Sequence, residues 1–159
     1  GEVLKRTVNL APNSRPTFDI NMLIGFHGSC DAIALHPYKN YWEWGEHYTW
    51  LTQTLQAHNI WHQVDVTEAG WPHYSDTDPS LYQEVKQAEA IGSVGVGELY
   101  AAGCKKIWIY RGVDEDPGTS WDALYYGLFD YTGQPHPSWS MYIQWQMQNP
   151  SYPNLPSTF

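Results

Sequence analysis

Three apolar stretches of this 159-residue chain stop at side chains capable of chemistry. Residues 31–35 run into His36-Pro37-Tyr38, residues 62–67 into Glu68-Ala69-Gly70-Trp71-Pro72, and residues 105–109 into Tyr110-Arg111. A carboxylate closing an apolar strand, with imidazole and phenol donors beside it, is held ionised and presented to a substrate. Such a group is a nucleophile, and the attack it suits is on an anomeric carbon. Glu68 is therefore the candidate catalytic residue, with His36, Tyr38, Trp71 and Tyr110 as candidate substrate-binding residues. Plainer readings stay open beside these. Glu68 can be an exposed loop carboxylate, the usual place of that residue type. His36 can be an imidazole satisfied by backbone at a strand end. Trp71 can be a loop aromatic packed on its neighbours rather than a platform for a sugar ring.

The elements that must position these residues alternate along the chain. Residues 3–10 carry β-branched and apolar side chains and stop at Ala11-Pro12, which reads as a first strand. A short helical stretch over 17–26, weakened by Gly25, precedes the strand 31–35. In that strand small Ala32 and Ala34 alternate with bulky Ile33 and Leu35, as suits a barrel strand with its bulky face under a helix. Tyr48, Leu51 and Leu55 recur at helical spacing and predict a helix over 46–57. The strand 62–67 follows. Asp78-Pro79 then has the residue types of a helix start. That helix is interrupted by Gly92, Gly95 and Gly97 and ends near Gly103. A strand over 105–110 and a last helix over 137–148 complete the series.

Strands alternating with helices imply an α/β fold with a parallel sheet and right-handed crossovers. A complete eightfold barrel needs about 250 residues. Four such units make half of a TIM (β/α)8 barrel, expected over residues 1–149, with 150–159 as a Pro-rich tail. Half a barrel leaves two sheet edges unpaired, so the expected partner is a second copy in a homodimer or a missing N-terminal half barrel.

Composition narrows the classes of function. Hydrophobic residues make up 42% and charged residues 16%, a globular balance. The net charge of −9, from 8 basic and 17 acidic residues, argues against nucleic acid, whose partners need a basic face. No apolar run is long enough to cross a membrane as a helix, and no membrane partner is expected. Nine Trp, twelve Tyr and four Phe are more than a core of this size requires, and aromatic faces stack on pyranose rings. They also serve as ordinary core.

Other clusters carry less. His58 and His62 are four apart, but Asn59 ends the helix between them, which breaks a shared metal face. His27 and Cys30 straddle a turn at the wrong end of a strand. Asp114-Glu115-Asp116 lacks the spacing of a calcium loop and reads as a solvated acidic loop. Gly92, Gly95 and Gly97 have no Lys-Ser/Thr after them and do not cradle phosphate. No metal and no cofactor are expected. Cys30 and Cys104, one before each of two strands, would lie about 9–10 Å apart at sheet spacing. A disulfide needs Cα atoms within about 7 Å, so both are expected as free thiols.

The motifs taken in order resemble the C-terminal half, strands five to eight, of the superfamily of retaining glycoside hydrolases built on (β/α)8 barrels. Asp31-Ala-Ile-Ala-Leu-His-Pro-Tyr38 resembles that superfamily's strand six, and Val66-Thr-Glu-Ala-Gly-Trp71 its strand seven. Lys106-Ile-Trp-Ile-Tyr110, with Tyr126-Gly-Leu-Phe-Asp130 and Gly133-Gln-Pro135, resembles strand eight and its sequel. The resemblance implies Glu68 as the nucleophile, acting on a carbohydrate, with an acid/base Glu on strand four. The Asn-Glu pair that carries that acid/base occurs nowhere in this sequence, and its strand would precede Gly1. The residue facing the site at the end of strand eight would be Tyr110, or Trp108 if the alignment slips. The resemblance implies O-glycoside hydrolysis by the whole protein, with this chain alone inactive or weakly active. The alternatives are a non-catalytic carbohydrate-binding or self-associating half barrel, and an interaction domain unrelated to sugars.

Overall fold

The computed structural model describes residues 24–25, 28, 31–37, 40–73, 84–114 and 125–150. The expected strand at 3–10, most of the helical stretch at 17–26, the helix start at Asp78-Pro79 and the tail from 151 lie outside these residues. Three strands, β1 (Ala32–Leu35), β2 (Gln63–Ala69) and β3 (Ile107–Ile109), form a parallel sheet in the order β1-β2-β3. The helices are α1 (Trp44–Ala57), α2 (Glu84–Ile91), α3 (Val96–Ala101) and α4 (Pro137–Gln148), with a 3-10 turn over Tyr41–Glu43. The architecture is α/β, strand alternating with helix. The contacts divide the chain into two compact units, one of residues 1–69 with 98–108, the other of 70–97 with 109–159.

In the first unit, hydrophobic alternation sets the register. β1 aligns Ile33 with Val64 and Leu35 with Val66 of β2. All four side chains are buried, forming one apolar row on the face covered by a helix. The half-buried Ala32 and Ala34 occupy the other face. α1 turns Trp44, Tyr48, Leu51 and Leu55 inward, and Leu51 is fully buried. Burying one such Leu side chain stabilises by about 1.5–3 kcal/mol. The Tyr48 hydroxyl donates to the Val64 carbonyl at 3.3 Å, tying the helix to the strand it crosses to.

Among the described residues, α1 and α3 end by the same device. Asn59 takes φ 59, and the Asn59 and Ile60 amides donate back to the Gln56 and Leu55 carbonyls. Gly103, with φ +95, repeats the pattern as its amide and that of Cys104 reach the Tyr100 and Leu99 carbonyls. These are left-handed caps, which satisfy carbonyls the helix leaves open. Cys104, just beyond the second, is a buried free thiol, as expected; Cys30 lies outside the described residues.

The second unit is built on α2 and α4. Ser138, Tyr142 and Gln146 make the buried stripe of α4 at intervals of one turn. Ile91, Leu128 and Tyr142 form its core, with Ile109, Phe129, Trp139 and Trp145 packed around them. Gln87 is fully buried in α2 and acts as a polar clamp. Its amide nitrogen donates to the Trp71 and Gly127 carbonyls, both at 3.0 Å, and its oxygen accepts the Ser138 hydroxyl. A buried amide holds its place only when partnered, so this network fixes both loops relative to α4. The turn after Phe129 closes on Asp130, whose Oδ1 accepts the Thr132 and Gln134 amides at 2.8 Å, with Gly133 at φ +85.

Candidate active site

Parallel pairing brings the first cluster together. Leu35 of β1 sits beside Val66 of β2, so one residue further on His36 meets Thr67. His36 Nε2 lies 2.8 Å from the Thr67 hydroxyl, and Nδ1 lies 3.3 Å from Glu68 Oε2. Glu68 is the penultimate residue of β2, because the strand runs on to Ala69 rather than ending at Thr67. The His36 side chain is 13% exposed and that of Glu68 39%, so the carboxylate is reachable while the imidazole behind it is largely enclosed.

Burial holds the His36 pKa below its usual value, and the opposing pull of the Glu68 charge does not cancel it. A neutral imidazole has one N–H and one lone pair. One tautomer suits both neighbours, with Nδ1–H turned toward the Glu68 carboxylate, which can only accept, and Nε2 taking the Thr67 hydroxyl proton. His36 thus supplies a neutral donor that orients a carboxylate oxygen without neutralising its charge. A carboxylate prepared in this way can act as a nucleophile or a general base.

The other candidate residues fall elsewhere. Tyr38 lies outside the described residues. Trp71 and Tyr110 belong to the second unit. Trp71 is partly buried, and its carbonyl is held by Gln87. Tyr110 follows β3, meets the Tyr126 ring edge-to-face at 5.6 Å, and has the Arg111 guanidinium 5.5 Å from its ring centre. Trp108, the other residue considered for that position, is half exposed on β3.

A second imidazole–carboxylate cluster, within the second unit, was not singled out from the sequence. His73 Nε2 and His136 Nε2 converge on one oxygen, Asp114 Oδ2, at 2.9 and 2.7 Å. Their Nδ1 atoms face Glu84 Oε1 at 3.5 and 3.3 Å, and the two rings lie 3.9 Å apart. The other Asp114 oxygen accepts the Gly127 amide at 2.6 Å. Burial pushes the Asp114 carboxyl up, but hydrogen bonds from His73, His136 and Gly127 outweigh it and hold the group below the usual carboxylate range.

The sequence reading of Asp114 as part of a solvated acidic loop is thus corrected. Its side chain is only 8% exposed, because two imidazoles and a backbone amide enclose it. His73 and Asp114 are 41 residues apart and His136 a further 22. No spacing rule finds such a group. The one local signal is Gly127: a Cβ there would lie 2.3 Å from the Asp114 nitrogen, so no larger residue fits this approach.

Among the described residues no helix is long and apolar enough to cross a membrane. No protein-family model and no curated protein sequence matches the chain. Solved structures do resemble it. One is the crystal structure of a glycoside hydrolase family 17 β-1,3-glucanosyltransferase from Rhizomucor miehei, with a TM-score of 0.54 at 13% identity. An active-site mutant of the Rhizomucor miehei β-1,3-glucanosyltransferase in complex with laminaritriose gives the same values. Each match covers 70% of this chain and 43% of the other, so the chain spans less than half the length of these neighbours. At that identity the likeness concerns the fold. This chain has an α/β fold corresponding to part of a (β/α)8 barrel.

Proposed function

We propose that this chain carries the nucleophile of a retaining glycoside hydrolase, Glu68, within half of a (β/α)8 barrel. The observation that supports this most is the Glu68 carboxylate near the carboxyl end of a parallel strand, 3.3 Å from a largely buried imidazole. In barrels of this type that end of the strands is where chemistry takes place. Glu68 attacks the anomeric carbon and forms a glycosyl ester, while the leaving oxygen departs with the bonding electrons and takes a proton from a second carboxyl. That carboxyl, about 5–5.5 Å from the first in retaining enzymes, then deprotonates the water that releases the sugar. His36 orients the nucleophile.

The acid/base belongs to the other half of the barrel, supplied by a longer protein or by a partner chain. Losing general acid catalysis costs about 10²–10⁴-fold, so this chain alone turns over ordinary glycosides weakly. The test must therefore bypass the acid. A 2,4-dinitrophenyl 2-deoxy-2-fluoro-β-glucoside has a leaving group that departs unprotonated, and its fluorine slows release of the ester. The expected result is one fluoroglucosyl unit added to the chain in intact-mass spectrometry, located on Glu68 and absent from Glu68→Gln. An unlabelled native chain, or labelling that persists in Glu68→Gln, overturns the assignment. The glucose unit is chosen because the neighbouring enzyme was solved with laminaritriose.

A further inference from the structure

We infer that His73, Asp114 and His136 form a binding site for a divalent transition metal of the zinc class, with Glu84 behind the two imidazoles. Donors and acceptors do not balance at this cluster. Each imidazole turns both of its nitrogens to carboxylate oxygens: Nε2 to Asp114 Oδ2 and Nδ1 to Glu84 Oε1. An ionised carboxylate only accepts, and a neutral imidazole has a single N–H. In either tautomer, one nitrogen of each ring therefore presents a lone pair to an oxygen lone pair. A cation at the point of convergence removes both conflicts.

One divalent ion does this from a single centre. With Nδ1–H of both rings donating to Glu84, both Nε2 lone pairs and Asp114 Oδ2 are free to ligate. One ligand atom from each of the three residues lies within 4.8 Å of the others. Zinc bonds of about 2.0–2.1 Å in tetrahedral array set ligand atoms about 3.3 Å apart. The observed 2.7 and 2.9 Å therefore need an opening of only about half an ångström.

The outer contacts also fit a metal centre. A carboxylate on the far nitrogen of a ligating His fixes its tautomer, and hydrogen bonds hold ligating carboxylates in place. Glu84 Oε1, 3.5 and 3.3 Å from the two Nδ1 atoms, is placed to do the first, and the Gly127 amide does the second. Two imidazoles with one carboxylate suit zinc-class ions, whereas calcium and magnesium prefer all-oxygen ligands. The ligands come from the segment after β2, the segment after β3 and the residue before α4, so the ion would pin three loops of one unit together. Metal binding here is independent of Glu68 and of any sugar chemistry.

The test is metal uptake by the chelator-stripped full chain, with Zn²⁺ and with Co²⁺ as a spectroscopic probe. Expected are one equivalent of either ion, visible Co²⁺ absorption of a low-coordinate site, and a Tm higher by roughly 5–10 °C at a hundredfold excess over Kd. His136→Ala and His73→Ala lose at least 100-fold in affinity, and Glu84→Gln loses about 10–100-fold. His58→Ala, a change at an exposed His of the other unit, keeps the native affinity. Uptake of less than half an equivalent, an unchanged Tm, or affinity indifferent to His136→Ala would each overturn the site. Should His136→Ala fail to fold, Glu84→Gln probes the same centre from a more exposed position, and native affinity in that variant would overturn the site equally.

Discussion

The two imidazole–carboxylate clusters use the same residue types and differ in their balance of protons. At β2, His36 faces one carboxylate and one hydroxyl, and a single N–H with a single lone pair satisfies both. At the second cluster, each of two rings faces two carboxylates, and the single N–H of a neutral ring can serve only one of them. The first arrangement leaves a reachable anion with a neutral donor behind it, which suits a nucleophile. The second encloses excess acceptors, which suits a bound cation. Counting donors against acceptors separates roles that residue identity leaves mixed.

The largest expected effect separates the clusters outright. Glu68→Gln removes the oxygen that attacks, so labelling by the activated fluoroglucoside falls at least 10³-fold, while zinc uptake stays at one equivalent. Loss of both together would mean that the variant had unfolded or that the two clusters are not independent, and circular dichroism tells these apart. Next comes His136→Ala, with its loss of at least 100-fold in zinc affinity. An equal loss from His58→Ala would erase the distinction.

Gly127→Ala sharpens the comparison by disturbing the second cluster through its backbone. The new Cβ would meet the Asp114 nitrogen at 2.3 Å and its Oδ1 at 2.6 Å. A destabilisation of about 1–3 kcal/mol in denaturant melts is expected, accompanied by weaker zinc binding. Thr67→Val tests the first cluster. It leaves His36 Nε2 without its hydroxyl donor, at a cost of about 1 kcal/mol, and ¹⁵N NMR should show the imidazole losing its preference for the Nδ1–H tautomer.

The smallest effect is on pH dependence. His36 titrates below 6.5 in the folded chain because burial disfavours its charged form. A folded pKa below the unfolded one gives stability that is present above about pH 6.5 and lost as pH falls through the folded value. The Glu68 charge raises the His36 pKa against this. Glu68→Gln should therefore lower it further and extend the acid-side loss, as read from the imidazole resonances. A rise in the pKa would contradict the donor role given to His36.

Much of the fold was legible where local rules act. The last helix was expected over 137–148 and is found at Pro137–Gln148, because Pro137 can only begin a helix and Tyr142 falls on its buried stripe. Gly92 and Gly103 mark the breaks around α3. Strand ends were less legible. β2 continues to Ala69 because the buried Ala69 belongs to the sheet's core, a fact of tertiary packing that residues 62–67 do not reveal. The pairing of His36 with Glu68 was anticipated because both follow apolar strands, and parallel neighbours bring their carboxyl ends level.

Alternation of hydrophobic residues, the helix-ending Asn59 and Gly103, and the end of β1 before His36 were determined by the sequence itself, since each depends on neighbours within a few positions. The tertiary structure alone decided that His73, Asp114 and His136 share one oxygen, and that Glu84 stands behind both rings. These residues are brought together only when separate loops are clamped by Gln87 and by the close approach at Gly127. Contacts between distant segments depend on how the loops pack, and a linear pattern holds no record of that.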